Sequence, residues 1–432
     1  MPQTALRESL EMSDRGNPKQ TIGNAVRVLT EDPIFAGAIR LNELSDRIDI
    51  VRKMNWKRDD VALCDTDKYY IIMHMEKYYG ISYENVIDKA IEIVANENRY
   101  HPVIEILEGL KWDGIPRVEN ALTHFLGAEK TEFTTESLKV FMLGAVARLY
   151  EPGIKFETSI CLVGDQGAGK STFFRLLAIK DEYFSDDLKK LDDENVFRKL
   201  QGHWIIEMPE MLATLNARTV EDIKSFLSRQ KETYKTPYHK HPKDRRRRCV
   251  FAGTSNKLEV LPMDRSGNRR ISPIETHADR AEVHILDNEK ESRAYIMQMW
   301  AEIMEIYRSG NYSLTLPRHL AEKLAEYQVR FTPEDSDGEL IEQFLKDTEE
   351  RFVCVSMLAY EALHYSEYDR VKNNERHRIA ETMRTMKGWE PAGMQRFARY
   401  GSQRAWKRVG ASRENDFTPV PEQMVLPFTE NS

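Results

Sequence analysis

The run Cys161-Leu162-Val163-Gly164-Asp165-Gln166-Gly167-Ala168-Gly169-Lys170-Ser171-Thr172 spaces a glycine, four residues, a glycine, a lysine and a hydroxyl in the pattern of a phosphate-binding loop. Such a loop turns successive backbone N–H groups toward a polyphosphate, and a helix starting directly after it adds the positive end of its dipole. Read this way, Gly164, Gln166, Gly167, Ala168, Gly169, Lys170, Ser171 and Thr172 hold a nucleotide. Lys170 reaches its β- and γ-phosphates and the Ser171 hydroxyl ligates Mg²⁺. The flanks agree: Ser159 to Val163 is a short apolar run that predicts a buried parallel strand, and Phe173, Phe174, Leu176 and Leu177 predict the buried face of a helix.

Three further stretches carry groups suited to the same chemistry. Glu207 ends the apolar run Trp204-Ile205-Ile206, where a carboxylate at the carboxyl end of a strand faces the metal held by Ser171, and Glu210 follows closely. Two such acids divide into a metal-facing group and a base for the attacking water, an assignment the spacing leaves open. Asn256 follows Phe251-Ala252-Gly253-Thr254-Ser255, again at a strand's end, where a neutral amide can hydrogen-bond both a γ-phosphate and a water. Arg265, Arg269 and Arg270 come next, and arginines that meet a transferring phosphoryl group are commonly supplied by a neighbouring subunit.

A basic segment lies between the acids and Asn256. From Lys224 to Arg248 there are ten Lys and Arg against Glu232 and Asp244, with Tyr234, Tyr238, His239 and His241 interleaved. Basic side chains track a phosphate backbone and aromatics stack on bases, so Lys235, Tyr238, Lys240, Lys243, Arg245, Arg246, Arg247 and Arg248 are candidate contacts to single-stranded nucleic acid. A solvated hairpin is the alternative, the common fate of a charge run.

At 432 residues the chain has room for two or three domains. Its formal net charge of −7 confines any affinity for nucleic acid to local patches such as this one. Cys64, Cys161, Cys249 and Cys354 are far apart and form no CxxC pair, which argues against a zinc site or a disulfide framework and suits a reducing, cytoplasmic compartment. There is no run of 18 apolar residues and no signal-peptide core, so neither membrane insertion nor secretion is expected.

The elements that must position these residues read as follows. Residues 1–20 are polar and predict a loose leader, and 21–110 a helical domain, with Ile87, Ile91 and Val94 at helical spacing. Residues 111–331 form the nucleotide-binding core, entered through the Trp112-Asp113-Gly114 turn. Helices are expected at Val118 to Leu126, Leu138 to Leu149 and Ala281 to Tyr307, and strands at Ser159 to Val163, Trp204 to Glu207 and Cys249 to Thr254. Strands alternating with helices predict an α/β fold with a parallel sheet. Residues 332–338 read as a linker, and 339–432 as a small domain of short helices followed by Trp389 and the aromatic-basic run Arg396 to Tyr400, a winged-helix pattern. Arg376, Arg378 and Arg384 lie at helical spacing for a major-groove helix.

The order of these motifs resembles the virulence-associated protein E family of phage and mobile-element replication proteins, whose ATPase core is similar to superfamily 3 helicases. The matching residues are His101-Pro102, Trp112-Asp113-Gly114, Pro152-Gly153, the loop Gly164 to Thr172, Trp204 to Glu207 with Glu210, Gly253 to Asn256, and Gly267-Asn268-Arg269-Arg270. The resemblance implies a P-loop NTPase core of AAA+ type, with Lys170 and Ser171 in Walker A, Glu207 and Glu210 in the Walker B region, Asn256 as sensor 1 and Arg269 or Arg270 as the arginine finger. It implies an ATP- and Mg²⁺-dependent DNA helicase acting on single-stranded DNA, with duplex origin DNA as a second partner, assembled as a homo-oligomeric ring, a hexamer. An ATP-gated binding module without unwinding is the main rival. A small-molecule kinase leaves the basic segment unused.

Overall fold

The computed structural model describes residues 3–188, 196–209, 217–234, 243–258, 260–261, 270–332, 336–366 and 370–410. The chain divides into two compact units, Met1–Pro333 and Glu334–Ser432, a division that falls inside the stretch read as a linker.

The first unit is organised on a five-stranded parallel sheet. Its strands are β4 (Ser159–Val163), β5 (Phe184–Ser185), β6 (Ile205–Pro209), β9 (Val250–Ser255) and β10 (Ile271–Glu275), in the spatial order β10-β4-β9-β6-β5. All five residues of β4 and all six of β9 are buried, as central parallel strands covered on both faces must be. On one face lie the helices Glu132–Tyr150 and Glu289–Ser309, with Trp204 against Trp300 at 4.5 Å between ring centroids. The helix Glu132–Tyr150 spans more than the amphipathic stretch Leu138 to Leu149, and it is buried on nearly every face from Leu138 onward. On the other face a second apolar cluster includes Cys161, Ile206, Phe226 and Phe251.

Near the N-terminus the structure departs from the helical expectation. The helices Ile22–Glu31, Asp65–Tyr79 and Glu84–Glu97 are present, but they share a core with a three-stranded sheet of order β2-β1-β3. It is built from β1 (Ile39–Asn42), β2 (Arg47–Ile50) and β3 (Arg99–Tyr100). The first two strands are four residues each, too short for their alternation to stand out beside the long helices. Residues 3–20 are not a loose leader either: Leu6, in the helix Gln3–Glu8, and Leu10 are buried in this N-terminal cluster. Leu10 lies in the turn just after that helix, so no helical period links the two in the sequence.

A two-stranded antiparallel hairpin, β7 (Lys231–Tyr234) with β8 (Lys243–Arg246), precedes β9. The helix expected over Ala281 to Tyr307 begins only at Glu289, capped by the Asn288 side chain. The preceding stretch, 276–288, carries one short 3-10 helix, Ala278–Arg280, and is otherwise irregular chain beside the glycine-rich loop.

The second unit has the order helix Ser336–Asp347, β11 (Phe352–Cys354), the helical turns Val355–Ala362, helix Asn373–Thr385, then the long hairpin β12 (Trp389–Phe397) and β13 (Gly401–Arg408). Its sheet is antiparallel in the order β11-β13-β12. Ile341, Leu358, Ile379, Met383 and Trp406 fill its own core.

Candidate functional site

β4 delivers the chain to Gly164 at the carboxyl edge of the sheet, and the helix Lys170–Leu177 begins six residues later with Gly169 as its cap at φ 81°. A side chain at Gly164 is sterically barred, because a Cβ there would lie 2.3 Å from the Thr276 carbonyl oxygen and 2.4 Å from its Oγ1. Thr276 sits that close because its N–H and hydroxyl both donate to the Val163 carbonyl, at 2.7 and 3.1 Å. The loop is thus braced from β10 as well as from its own strand.

Lys170 and Glu207 are the chemically distinctive groups. The Lys170 ammonium donates to the carbonyls of Gly164 and Asp165, both at 2.7 Å, and to Asn256 Oδ1 at 3.1 Å, and it is 7 % exposed. Burial holds its pKa below the usual lysine range. Ser171 Oγ, on the first turn of the helix, donates to Glu207 Oε1 at 2.7 Å, and Thr254 Oγ1 on β9 donates to the same oxygen. Glu207 is 1 % exposed. Its Oε2 is buried with no hydrogen-bond partner among the described residues. Burial raises the Glu207 pKa, opposed by the Thr254 and Ser171 hydrogen bonds, and nearby Asp186 raises it further.

Strand pairing explains the convergence. Glu207 pairs in register with Ala252, and β9 also pairs with β4, so β6, β9 and β4 end side by side. Glu207, Thr254, Asn256 and the loop therefore line one cleft of ≈ 430 Å³, together with Gln166, Gly167, Ala168, Gly169, Ser171, Thr172 and Pro209. The structure also adds residues to this cleft that the motif reading passed over: Thr254, and His284 and Leu286 from the irregular stretch after β10. Thr254 had a signal, since it sits two residues before Asn256 at the end of the same strand run. His284 and Leu286 had none, lying more than a hundred positions from the loop.

The residues fit a magnesium ion. A carboxylate with one oxygen satisfied by hydroxyl donors and the other buried without a donor is suited to a cation, and Ser171 lies on the same side. Mg²⁺ is normally held by one or two carboxylates plus substrate phosphates rather than by an all-protein cage.

The arginines fare differently. Arg270 precedes β10, whose Ile271 pairs with Ser159, so it sits at the amino edge of the sheet, about 16 Å along β4 from the loop. There its Nε meets Glu157 at 2.9 Å, so in the described chain it does not reach its own cleft. Arg269 and Glu210 lie outside the described residues, as do Lys235, Tyr238 and Lys240. The Lys243 backbone pairs with Tyr234 in the β7–β8 hairpin.

Of the arginine run, Arg247 is corrected from a nucleic-acid contact to a core residue. It is 3 % exposed, donates to Glu232 and the Phe226 carbonyl, and stacks over Phe226 and Phe251 at 4.7 and 5.0 Å. Arg245 pairs with Asp46, and Arg248 with Glu43 at 3.3 Å, both acids belonging to the turn between β1 and β2. The same turn is fastened by Gly202 N–H to the Leu44 carbonyl at 3.1 Å. Arg246 is exposed. β8 ends at Arg246, and the run leaves it in different directions: Arg245 and Arg248 meet the acids of the β1–β2 turn, Arg247 packs on Phe226 and Phe251, and Arg246 faces solvent, so the four arginines do not present one surface.

In the second unit Arg378 pairs with Asp337 at 2.5 Å and Arg384 with Glu381, while Arg376 is exposed. Arg396, Arg399 and Arg404 are exposed on the β12–β13 hairpin. Among the described residues no helix is long and apolar enough to cross a membrane.

An apo structure of the NrS-1 C-terminal region is similar at 14% sequence identity over 86% of this chain and 96% of that one, with a TM-score of 0.46. An A-form apo structure of the same region is similar at 14% identity over 91% and 100%, with a TM-score of 0.47. Among curated proteins none matches. The virulence-associated protein E-like domain matches residues 107–333, which hold β4, β6, β9, β10 and the whole cleft and make up more than half of the chain, so the chain belongs to the virulence-associated protein E-like family.

Proposed function

We propose that the chain is a Mg²⁺-dependent ATPase of P-loop, AAA+ type that acts on DNA in the replication of a phage or mobile element. The observation that carries this reading is the meeting of Lys170, Ser171, Glu207, Thr254 and Asn256 at one end of the sheet, with one buried carboxylate oxygen lacking a donor. Lys170 exchanges its two loop carbonyls for phosphate oxygens and places a cation at the transferring group. Asn256, already bonded to Lys170, orients the attacking water and the γ-phosphate. Glu207 and Ser171 would hold Mg²⁺, which when bound would supply charge neutralisation on the phosphates. With Glu207 committed to the metal, Glu210 is the remaining acid to take the water's proton.

The chains assemble as a ring, hexameric, in which a heterologous interface brings an arginine of one subunit to the next subunit's cleft. Arg269 is the better finger, because Arg270 is engaged by Glu157. Single-stranded DNA is met at the β7–β8 hairpin through Lys235, Tyr238, Lys240, Lys243 and Arg246. The second unit, whose helix and strand order suits a winged helix, docks duplex DNA.

The test is ATP hydrolysis with and without single-stranded DNA, run beside strand displacement. Helicase action requires DNA-stimulated turnover and displacement that both vanish in Lys170→Ala. The pairing of Arg245 and Arg248 with Asp46 and Glu43 favours the rival, an ATP-gated binding module. Stimulated turnover with no displacement in any polarity selects it. Mixing Lys170→Ala with Arg269→Ala subunits tests the shared site, since turnover recovered in the mixture requires a finger acting in trans.

A further inference from the structure

The cleft has two flanks, and only one of them carries phosphate chemistry. The strand order β10-β4-β9-β6 puts Glu207 and Asn256 on the β9 side of the loop that leaves β4. The stretch after β10 lies on the other side. It is firmly seated there: His277 N–H donates to the Leu126 carbonyl at 2.9 Å, Val283 N–H to the His124 carbonyl at 3.1 Å, and Ser292 Oγ to the Ile285 carbonyl at 2.8 Å. Ile285 is fully buried, with its Cγ2 3.0 Å from where a Cβ on Gly169 would stand. Its two neighbours point the other way, into the cleft. His284 Nδ1 accepts from Leu286 N–H at 3.3 Å, which leaves Nε2 as the N–H, 3.4 Å from the Gly167 carbonyl. Leu286 is 47 % exposed, a large apolar side chain held at the rim of a cleft otherwise lined by small and polar groups.

A nucleoside triphosphate laid along the loop with its terminal phosphate toward Glu207 and Asn256 must leave its nucleoside on the β10 side. We propose that Leu286 and His284 form the nucleoside-binding lip of this cleft, Leu286 covering a face of the purine ring and His284 fixing the loop backbone beneath the sugar. This rests on the nucleotide reading above and extends it to the half of the ligand that the glycine-rich motif does not address. The two residues act in binding and take no part in phosphoryl chemistry.

The experiment compares ADP with inorganic tripolyphosphate, each titrated with Mg²⁺ into the full chain and into Leu286→Ala, Leu286→Asp and His284→Ala, by calorimetry or fluorescence. Leu286→Ala is expected to weaken ADP about 10-fold, as loss of one buried apolar contact does, and Leu286→Asp more. Tripolyphosphate affinity should stay within twofold in Leu286→Ala and His284→Ala, and in Leu286→Asp, whose new charge repels both ligands, it should fall less than that of ADP. Equal losses for the two ligands would mean that the segment only braces the loop, which overturns the inference. Unchanged ADP affinity in Leu286→Asp overturns it as well. A wild-type chain that binds neither ligand defeats the nucleotide reading itself, an outcome distinct from binding both ligands without regard to Leu286.

Discussion

The glycine-rich cleft and the arginine run are both dense in charge, yet they are built on opposite principles. In the cleft, donors and acceptors from four separate segments converge and one of them, Glu207 Oε2, is left buried without a donor. In the run from Arg245 to Arg248, three of four guanidinium groups meet carboxylates of the same chain, and the most buried of them is also stacked between two phenylalanine rings. A buried polar group without its partner costs on the order of 1–3 kcal/mol, more for a charged one. A fold tolerates that cost where a ligand relieves it, whereas a satisfied ion pair advertises no ligand. Unpartnered atoms are not confined to the cleft, since Arg247 Nε is another; what sets the cleft apart is that its unpartnered atom belongs to a carboxylate lining an open cavity beside a buried lysine.

The sharpest break of that comparison is Lys170→Ala. If the cleft is the catalytic centre, turnover falls at least about 100-fold, the order seen when one preorganised charge-stabilising donor is removed. The fold should survive, because the three acceptors of its ammonium belong to exposed or half-buried residues, Gly164, Asp165 and Asn256, that water can reach. Circular dichroism and thermal melting, run alongside the ATPase assay, separate the two effects. Unchanged turnover in the folded variant would end the ATPase reading.

Next in size is the contrast within the run. Arg247→Ala leaves Glu232, which is 7 % exposed, with only the longer contact to Arg229 at 3.8 Å, and breaking a buried pair costs about 3–5 kcal/mol. Arg246→Ala, at an exposed neighbour, should change stability by less than about 0.5 kcal/mol. Urea unfolding of the two variants checks this directly. Equal stabilities would place both side chains on the surface and restore the run as a single nucleic-acid face.

Glu207→Gln sharpens the cleft side of the comparison by giving opposite signs in two assays. The folded pKa of Glu207 is raised by burial, so the charged form is disfavoured in the fold. For a carboxyl with a raised pKa the penalty is absent below its unfolded value near 4.3 and grows as pH rises through the folded value. The neutral amide escapes that penalty. Melting temperature should therefore rise by roughly 2–4 °C for each 1 kcal/mol relieved, more at pH 8 than at pH 5, while Mg²⁺-dependent turnover is lost. A variant less stable at pH 8 than the parent would mean that the carboxylate is held by charge partners rather than strained by burial.

What the sequence disclosed divides along similar lines. β4, β6, β9 and the helix after the loop were legible because each is a short apolar run ending in a residue with chemistry, and the contiguous motif Gly164 to Thr172 carries its own spacing. β10 was missed, since Ile271-Ser272-Pro273-Ile274-Glu275 contains a proline and only two aliphatic residues, although it pairs with all of β4. Proline is admitted because β10 is an edge strand of the described sheet. Arg247 was misread because a one-dimensional charge count cannot see that it packs on Phe226 and Phe251, or that the acids Glu43 and Asp46 reach its neighbours from about two hundred residues upstream. His284 and Leu286 illustrate the same limit: their place in the cleft follows from strand order, which no local pattern encodes.

The smallest expected effect concerns the second unit, where the same distinction between satisfied and unsatisfied charge decides which arginines meet DNA. Helical spacing nominates Arg376, Arg378 and Arg384, but Arg378 is held by Asp337 and Arg384 by Glu381, so the helix Asn373–Thr385 offers less free charge than its composition suggests. The β12–β13 hairpin, in contrast, presents Arg396 and Arg404, exposed and directly across from each other's neighbours in the register Arg396 with Ser402 and Met394 with Arg404. If the unit docks on duplex DNA, these two side chains hold phosphates flanking the groove. Replacing both with Ser should weaken duplex binding by about 3- to 10-fold and flatten the salt dependence by roughly one to two logarithmic slope units, one for each lost phosphate contact. Arg378→Ser should change the slope little, because its charge is already neutralised by Asp337. Basal ATP turnover should be the same in both variants, their positions lying in the unit that carries none of the cleft residues. Filter binding of a labelled duplex across a series of salt concentrations reads both slopes. If Arg378→Ser flattens the slope and the hairpin pair does not, the helix is the docking element and the ion pair with Asp337 opens on binding.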